Sequence, residues 1–359
     1  MNRSNEFSPL WMSQSSTRDS LKTIGEFGLI RQLKQQWSTS SPWIVKGIGD
    51  DAAILKTRQG QQLLISTDVF IEGVHFDLAS QAPKDVGWRA GVANLSDVAA
   101  MGGSPLYLLV SMAVPVRIPP KNIRELYRGL KDACAPCHVE LIGGDTSSSP
   151  SHMFLSLTIV GSVRANRALT RHGAEVGDHI YVTGTVGDSN AGLRILQTRS
   201  NNLRRFSPST AEKFLIRRHV RPTPRIRIGR LLVDRKLAHA AIDLSDGLSS
   251  DVGHVCEESQ VGVEIRGKAL PLSSQLRAFA RQNNLDPMEL ALQGGEDYEL
   301  LFTAPAKHHQ KVLNVSRQTK VPISCIGEIK PKTFGQQLEL PEGRKQKLAK
   351  KSFNHFGNR

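Results

Sequence analysis

Carboxylates that stand next to glycine, serine and apolar residues are the feature of this sequence most able to do chemistry. They occur in six motifs, and the acidic residues concerned are Asp50 and Asp51 in GIGDDAAI, Asp68 in STD, Asp97 in NLSD, Asp145 in GGD, Asp243 and Asp246 in IDLSDG, and Glu296 and Asp297 in GGEDY. Charged groups rarely lie in apolar surroundings unless they are paired or bind a metal. One such motif is equally typical of a turn or helix cap, but six together indicate oxygen ligands for Mg²⁺. The neighbouring glycines would let backbone N–H groups approach phosphates closely.

The elements predicted around these motifs indicate an α/β (α+β) protein in which most of the acids follow strands. The chain has 359 residues, which at roughly 150 residues per domain favours two domains. We expect a disordered leader over 1–20, an N-terminal domain over 21–165, a C-terminal α/β domain over 166–340 and a loosely ordered basic tail over 341–359.

Apolar periodicity predicts where the helices and strands lie. The predicted helices cover 21–37, 84–101 and 122–134, and the predicted strands are LLIST, LYLLVSMAVP, VELIGGD, MFLSLTIVGSV, VGVEIRG, YELLFTA and PISCIGEI. Two further stretches, HIYVTGTVGDSNAGL and AHAAIDLSDGLSSDVGHVCEES, predict a strand followed by a turn and a helix. Both place glycine and aspartate at the turn, where a phosphate could be bound.

The charge balance favours a polyanionic ligand. Lys and Arg number 47 and Asp and Glu 33, which gives a net charge of +14, and a basic excess attracts nucleic acid or phosphorylated ligands. Zinc-finger spacings and RNP-type aromatic motifs are missing from the sequence, and aromatic residues make up only 6%, so we expect no nucleic acid partner. The sequence also lacks the run of roughly 20 apolar residues that a membrane helix needs, so we expect a soluble protein.

The four cysteines predict a reduced protein rather than a disulfide scaffold. Cys134 and Cys137 form a CxxC pair followed by His138, within a stretch (DACAPCHVELI) that we predict as an amphipathic helix. A second CxxC, which a zinc site would need, does not follow. We therefore favour a structural role over metal or redox chemistry, and a cytoplasmic location.

Familiar phosphate-binding signatures are missing from the sequence. GxxxxGK[ST] and the protein-kinase motifs do not occur, and GTVGDS at 184–189 lacks the GxGxxG spacing, so we favour a structural turn there over an anion site. We interpret the Arg-rich stretch over 217–230 as a solvated face, although phosphate or RNA binding stays open. The remaining acids of interest are predicted to cap turns or lie on the surface, and they are Asp77, Asp85, Asp178, Asp251 and Asp286.

In their order along the chain, the motifs resemble the thiamine-monophosphate kinase family. This family belongs to an ATP-binding superfamily with aminoimidazole ribonucleotide synthetase and selenophosphate synthetase. The matching stretches are GEFGLI, GIGDDAAI, STDVFIEGVHF, VGWRAGVANLSDVAAMGG, LIGGD, LTRHGAEVGD, VTGTVGDSNAGL, RHVRPTPR, IDLSDGL and LQGGEDYELLF. They extend over nearly the whole chain after the leader, from about Gly25 to Phe356.

The resemblance implies roles for the matching positions. The implied Mg²⁺ ligands are Asp51, Ser66, Thr67, Asp68, Asp97, Asp145, Asp243 and Asp246. The implied ATP contacts are Tyr127, Gly144, Asp145, Arg171 and Ser245. The implied contacts of thiamine monophosphate are His75, Glu296 and Phe353. The family usually has Trp where this sequence has Phe353, and Phe offers a smaller stacking area.

The resemblance also implies a reaction and an assembly. The reaction is ATP-dependent phosphorylation of thiamine monophosphate with several Mg²⁺ ions. Because the acceptor is itself a phosphate with a second pKa near 6, we expect direct in-line transfer with no catalytic side chain. The fold implied has two domains of the aminoimidazole ribonucleotide synthetase type, with the N-terminal sheets of a homodimer paired into a barrel. Two alternatives stay open: another superfamily enzyme with a different substrate, and a basic RNA- or polyphosphate-associated protein that has kept the fold without turnover.

Overall fold

The computed structural model describes residues 44–46, 50–56, 60–201 and 207–349. The predicted leader over 1–20, the predicted helix over 21–37 and Phe353 lie outside these residues. The described residues form two β-sheets, each packed against α-helices. This is a mixed α/β fold, as the sequence predicts.

The first sheet contains the strands that carry most of the acidic motifs. Its strands are β1 (Ile44–Lys46), β2 (Ala53–Lys56), β3 (Gln61–Ile71), β4 (Ser104–Pro115), β5 (Glu140–Ser149) and β6 (Phe154–Arg164). Their order is β1-β2-β3-β6-β4-β5, and β4 and β5 are the parallel neighbours in this otherwise antiparallel sheet. The predicted strands are confirmed, and the short strand predicted at VELIGGD extends to Ser149.

Two helices, α1 (Pro83–Ala100) and α2 (Pro120–Cys134), pack against each other beside this sheet. They approach so closely that a Cβ added to Gly87 of α1 would lie 1.9 Å from the carbonyl oxygen of Leu126 in α2. The reverse holds for Gly129 of α2, whose added Cβ would lie 1.8 Å from the carbonyl oxygen of Lys84. Because only glycine permits this contact, α1 is held rigidly by backbone packing.

The second sheet consists of seven strands within the described residues. They are β7 (Asp178–Thr183), β8 (Ala240–Asp243), β9 (Gly262–Arg266), β10 (Leu300–Pro305), β11 (Ile323–Lys330), β12 (Gln336–Glu339) and β13 (Lys345–Lys347), in the order β13-β12-β9-β11-β7-β10-β8. The strands predicted here are confirmed. The prediction of a loosely ordered basic tail is wrong for Lys345–Lys347, because this segment pairs with β12.

The remaining helices surround the second sheet and join it to the first. They are α3 (Asp188–Asn201), α4 (Thr210–Val220), α5 (Ile226–Asp234), α6 (Leu248–Ser259), α7 (Ser274–Gln282), α8 (Pro287–Gln293) and α9 (His309–Thr319). Helix α5 packs on α1 so closely that a Cβ added to Gly229 would lie 2.0 Å from the carbonyl oxygen of Ala99. One hydrophobic core therefore includes Leu64 of the first sheet and Phe302 of the second.

The Arg-rich stretch over 217–230 is a solvated face only in part: Arg217, Arg221, Arg227 and Arg230 are exposed, but its two other arginines are not. The side chains of Arg218 and Arg225 are only 15% and 12% exposed. Both guanidinium groups bind Glu299, which is fully buried and precedes β10: Arg218 Nη2 donates to its Oε1 at 2.8 Å and Arg225 Nε to its Oε2 at 2.5 Å. Thr183 Oγ1 donates to the same carboxylate at 2.6 Å. A buried charge with this many partners is what desolvation requires.

The cysteines agree with the structural role predicted for them. All four carry free thiols, and burial raises the pKa of Cys134 to about 12, which makes its thiol a poor nucleophile. The helix predicted across DACAPCHVELI is wrong, because α2 ends at Cys134 and His138 takes a left-handed conformation before β5. In the part of the chain that the structure describes, no helix is both long and apolar enough to span a bilayer.

Candidate active site

Three aspartates that lie far apart in the sequence meet at one place in the fold. Asp51 precedes β2, Asp97 lies on α1, and Asp243 ends β8. One carboxylate oxygen of each lies within 4.8 Å of the others. The structure therefore brings together three of the predicted Mg²⁺ ligands, two from the first half of the chain and one from the second.

Strand β3 adds a fourth acid and a hydroxyl group. Ser66 Oγ donates a hydrogen bond to Asp97, and Oδ2 of Asp68 is buried without a hydrogen-bond partner. Thr67 differs, because side chains alternate across a strand. The Thr67 side chain is exposed, and its Oγ1 donates to the carbonyl oxygen of Leu157 at 3.0 Å and accepts from Thr158 Oγ1 at 3.1 Å. The structure does not bring the Thr67 hydroxyl to the aspartates.

Burial and mutual repulsion dominate the electrostatics of this cluster. Burial, with the charges of Asp51 and Asp246, raises the pKa of Asp68 to about 6. Burial raises the pKa of Asp97 well above its usual range, and the neighbouring charges of Asp68 and Asp243 add to this. The same causes act on Asp243, whose pKa is also raised, by burial and then by Asp51. Crowded carboxylates of this kind are stable as anions only when a cation offsets them.

The donor set fits a hard divalent cation. Its atoms are carboxylate and hydroxyl oxygens, which Mg²⁺ prefers. Oδ2 of Asp51 and Oδ2 of Asp68 are both buried and lack a hydrogen-bond partner. Buried polar atoms normally have one, so these two oxygens are suited to ligate a metal.

Arg171, a predicted ATP contact, stands beside the cluster. Its Nη2 lies 2.5 Å from Oδ1 of Asp51, and its backbone N–H donates to the carboxylate of Asp50. Burial lowers the pKa of Arg171, but the charges of Asp51 and Asp50 outweigh it, so the guanidinium stays protonated.

Asp50 was not among the predicted ligands. Burial, followed by the charge of Asp51, raises its pKa to about 6, and Lys46 Nζ lies 3.3 Å away.

The other predicted nucleotide contacts are spread over several elements. Asp145 is exposed on β5 and is not one of the acids that meet at the cluster. Gly144 beside it has φ +154°, and an added Cβ would lie 1.9 Å from the carbonyl oxygen of Val110, so only glycine fits. Tyr127 is half-buried on α2, and burial raises its pKa. Ser245 follows β8, and its carbonyl oxygen accepts from the backbone N–H of Glu296 at 2.8 Å.

Two of the predicted contacts of thiamine monophosphate, His75 and Glu296, lie within the described residues. Both bind an arginine that sequence reasoning missed. Nδ1 of His75 accepts from the backbone N–H of Ile71 at 3.0 Å, so the neutral ring carries its proton on Nε2. Arg89 on α1 donates to the carbonyl oxygen of His75 and, at 3.1 Å, to Oε2 of Glu296. An arginine inside the otherwise apolar run VGWRAGVANL was the available signal.

The turn over 184–189 binds a carboxylate of the chain itself. The backbone N–H groups of Gly187 and Ser189 donate to Asp297 at 2.6 and 3.0 Å, at the beginning of α3. This agrees with the interpretation as a structural turn. Burial, the largest influence, raises the pKa of Asp297 to about 7.

Two of the five acids predicted to cap turns or lie on the surface are buried, and both do cap backbone N–H groups: Asp178 Oδ2 accepts from Glu175 at 3.1 Å and Asp251 Oδ2 from Gly247. Asp178 is 3% exposed and its carboxylate lies 2.9 Å from Nδ1 of His239. Asp251 is 1% exposed and accepts from the backbone N–H of Gly247 at 3.0 Å, within the segment that follows Asp243. Asp286 does cap α8, as predicted.

Family models and curated relatives match nearly all of the described chain. The model of the AIR synthase related protein N-terminal domain matches residues 49–163, and that of the C-terminal domain matches residues 175–336. Thiamine-monophosphate kinase of Haemophilus influenzae is 38% identical over 337 residues, which is 93% of this chain and 98% of the relative. The enzyme of Escherichia coli K12 is 40% identical over 332 residues, 92% of this chain and 98% of the relative.

Solved structures similar to this chain include members of the same family. AaThiL complexed with AMPPCP and TMP has a TM-score of 0.82 and 36% identity, and the alignment covers 95% of this chain and 100% of that one. Thiamine-monophosphate kinase of Stenotrophomonas maltophilia has a TM-score of 0.72 and 35% identity, covering 89% and 96% of the two chains. The chain belongs to the thiamine-monophosphate kinase family, within the AIR synthase related proteins.

Proposed function

We propose that this chain phosphorylates thiamine monophosphate to thiamine diphosphate, with ATP as the phosphoryl donor. The observation that carries the proposal is the meeting of Asp51, Asp97 and Asp243 in a chain 36–40% identical to named thiamine-monophosphate kinases. The bound molecules named for AaThiL, AMPPCP and TMP, are of the classes that this reaction requires. The four free thiols suit the reducing cytoplasm as its location.

Mg²⁺ is the cofactor for which this site is suited. Its proposed ligands are Asp51, Ser66, Asp68, Asp97, Asp243 and Asp246. When bound, Mg²⁺ offsets the repulsion between the two phosphate-bearing substrates and stabilises charge on the transferred group. The pKa values of Asp68, Asp97 and Asp243 are raised, which supports the need for a cation at this place.

The side chains bind and orient the substrates, and none needs to act as a general base. The acceptor is a phosphate monoester with a second pKa near 6, so at neutral pH it is already a nucleophilic oxyanion. Arg171 offsets nucleotide charge, and the further nucleotide contacts are Tyr127, Gly144, Asp145 and Ser245. The acceptor contacts are His75, Glu296 and Phe353. This set of roles supports direct in-line transfer without a phosphoenzyme.

We further propose a homodimer formed through the first sheet. Large apolar side chains are exposed on its strands, namely Val69 (40%), Tyr107 (42%), Leu141 (51%) and Ile142 (55%). The last two lie on β5, which ends the strand order of this sheet. Exposed apolar surface on an edge strand is a typical association site.

If the first sheet forms the dimer interface, the mass of the particle and the effect of a charge placed in this interface can both be predicted. Sedimentation equilibrium of the wild type should give twice the 39.5 kDa chain mass, and Ile142→Glu should shift the protein towards the monomer because it places a charge in the interface. Val176→Glu is the matched control, since Val176 is 59% exposed in the segment before β7. A wild type that sediments as a monomer contradicts the dimer.

The activity is tested with purified protein, ATP, Mg²⁺ and thiamine monophosphate, following thiamine diphosphate and ADP. We expect equal amounts of the two products from the wild type and little from Asp68→Asn, which removes one charge from the cluster. A folded wild type that binds ATP but leaves thiamine monophosphate unchanged would contradict the proposal and favour another substrate of this superfamily. Salt-sensitive RNA binding unaffected by Asp68→Asn would favour the RNA-associated alternative.

A further inference from the structure

Arg89 is the largest side chain that is fully buried among the described residues. It lies on α1, in the segment VGWRAGVANL, with buried residues on both sides. A buried guanidinium costs free energy unless hydrogen bonds and an opposite charge compensate it. Its partners therefore indicate why an arginine stands at this position.

The guanidinium joins two loops that belong to different sheets. Nη2 donates to the carbonyl oxygen of His75, in the loop that follows β3. Nη1 donates to Oε2 of Glu296 at 3.1 Å, in the loop that precedes β10. These are the two proposed acceptor contacts within the described residues, and Arg89 touches both.

His219 adds a further contact to Arg89 without adding a charge. Its Nε2 lies within hydrogen-bond distance of Arg89 Nη1, and its Nδ1 lies 3.0 Å from Oγ of Ser189. Burial, followed by the charge of Arg89, holds the pKa of His219 well below its usual range, so the ring is neutral. Within the described residues, Glu296 carries the carboxylate that forms an ion pair with Arg89.

The loop that carries Glu296 is held from its other side as well. Glu296 and Tyr298 have φ values of +63° and +51°, a conformation that non-glycine residues seldom adopt. Their backbone N–H groups donate to the carbonyl oxygens of Ser245 and Leu244, at 2.8 and 2.9 Å. Strained backbone of this kind persists where its surroundings determine it, and it is common at ligand sites.

We propose that Arg89 is a positioning residue for thiamine monophosphate: it binds the His75 carbonyl and the Glu296 carboxylate together and so fixes the separation of these two proposed substrate contacts. The proposal rests on the function proposed above. Asp97 follows Arg89 on the same helix, about 12 Å further along its axis at 1.5 Å per residue. One rigid helix therefore sets the separation between the acceptor contacts and the proposed Mg²⁺ ligands.

Substitution of Arg89 tests this role through the two substrates separately. Arg89→Met and Arg89→Lys should both raise the KM for thiamine monophosphate, by about 10- to 100-fold, because the guanidinium no longer holds Glu296 and the His75 carbonyl together for the substrate. Lysine keeps the charge but not the planar fork that reaches both partners. The KM for ATP should change by no more than about threefold. If Arg89→Met does not fold, Arg89→Lys decides alone.

A control variant separates positioning from loss of stability. Arg225→Met removes another buried arginine, one that binds Glu299 rather than the acceptor loops. We expect it to lower the Tm while leaving the KM for thiamine monophosphate unchanged. Equal effects of the Arg89 variants on both KM values, or none on either, would overturn the proposal.

A double-mutant cycle with Glu296→Gln asks whether Arg89 acts through Glu296. We expect the double variant Arg89→Lys/Glu296→Gln to lose no more acceptor affinity than the weaker-binding single variant, because the two residues act as a unit. Additive losses would overturn the proposal.

Calorimetric titration with thiamine monophosphate in the presence of Mg²⁺ and AMPPCP distinguishes this inference from the proposed function. A wild type that binds the acceptor without turnover contradicts the function alone, and the binding series then still decides the role of Arg89. A wild type that neither binds nor phosphorylates it overturns both.

Discussion

Asp97→Asn should reduce the formation of thiamine diphosphate by about 100- to 1,000-fold, the effect of removing one preorganised electrostatic group from an active site. The same change should raise the Tm of the metal-free protein at neutral pH. Asp97 is held beside the carboxylates of Asp51 and Asp243, so the folded wild type must either take up a proton there or bear their repulsion, and the asparagine amide needs neither. Turnover and thermal unfolding with and without Mg²⁺ are the measurements.

The sign of the stability effect follows from the raised pKa of Asp97. Burial and the neighbouring charges raise it above the ordinary value of 3.8, so the folded protein keeps a proton that the unfolded chain releases. Stability of the metal-free wild type therefore falls as pH rises from about 4 towards neutrality. The asparagine amide does not titrate, so the Asp97→Asn variant should lose part of this pH dependence.

Asp286→Asn is the matched control for this prediction. Asp286 caps α8 through the backbone N–H of Met288 at 2.8 Å, and asparagine caps helices about as well. We expect neither activity nor Tm to change. Mg²⁺ should raise the Tm of the wild type and of this control, but raise that of Asp97→Asn much less. A metal-free Asp97→Asn protein less stable than the wild type would contradict the account of the cluster.

Glu299→Gln should lower the free energy of unfolding by about 3–5 kcal/mol, the cost of removing one partner from a buried ion pair. The change leaves the largely buried Arg225 without the carboxylate it pairs with, and leaves Arg218 with Asp188 at 3.5 Å as its remaining ion-pair partner. Although burial raises the pKa of Glu299, the charges of Arg225 and Arg218 lower it below the ordinary 4.5. Its stabilising contribution is therefore present above pH 4.5 and lost as pH falls through the lower, folded-state pKa.

Denaturant unfolding at pH 7 and at acid pH measures this effect. Glu342→Gln is the control, because Glu342 is 58% exposed and pairs with Arg344 at 3.5 Å. An exposed pair of this kind is worth about 0–1 kcal/mol. Equal losses for Glu299→Gln and Glu342→Gln would contradict the assigned role of Glu299. The difference between the two should shrink as the pH is lowered.

Local sequence signals were sufficient for much of the fold. Pro83 and Gly102 bracket α1 because proline suits the first turn and Gly102 adopts φ +68° at the end. An apolar run predicted β3 and alternating apolar residues predicted β6, but the alternation of side chains along β3 was not used to choose the metal ligands. On a strand, Ser66 and Asp68 share a face that Thr67 cannot share, so the Thr67 hydroxyl was predictably a poor candidate.

The charged contacts between distant segments could not be predicted in this way. The Arg-rich stretch was interpreted as solvated because arginine is usually exposed. Glu299, which pairs with the largely buried guanidinium of Arg225, lies 74 residues further along the chain. Arg89 and Glu296 are 207 residues apart. Neither pairing leaves a periodic or local signal, so only the folded chain reveals that these cations have partners.

Transfer of label from [γ-³²P]ATP in a single turnover with thiamine monophosphate and Mg²⁺ tests the central claim most directly. We expect the label to appear in thiamine diphosphate at the rate at which ADP forms, with none on the protein, because the acceptor phosphate attacks directly. Asp97→Asn should leave the label in ATP. Labelled protein that forms before the product would contradict direct transfer, and failure of folded wild-type protein to label thiamine diphosphate at all would contradict the proposed function.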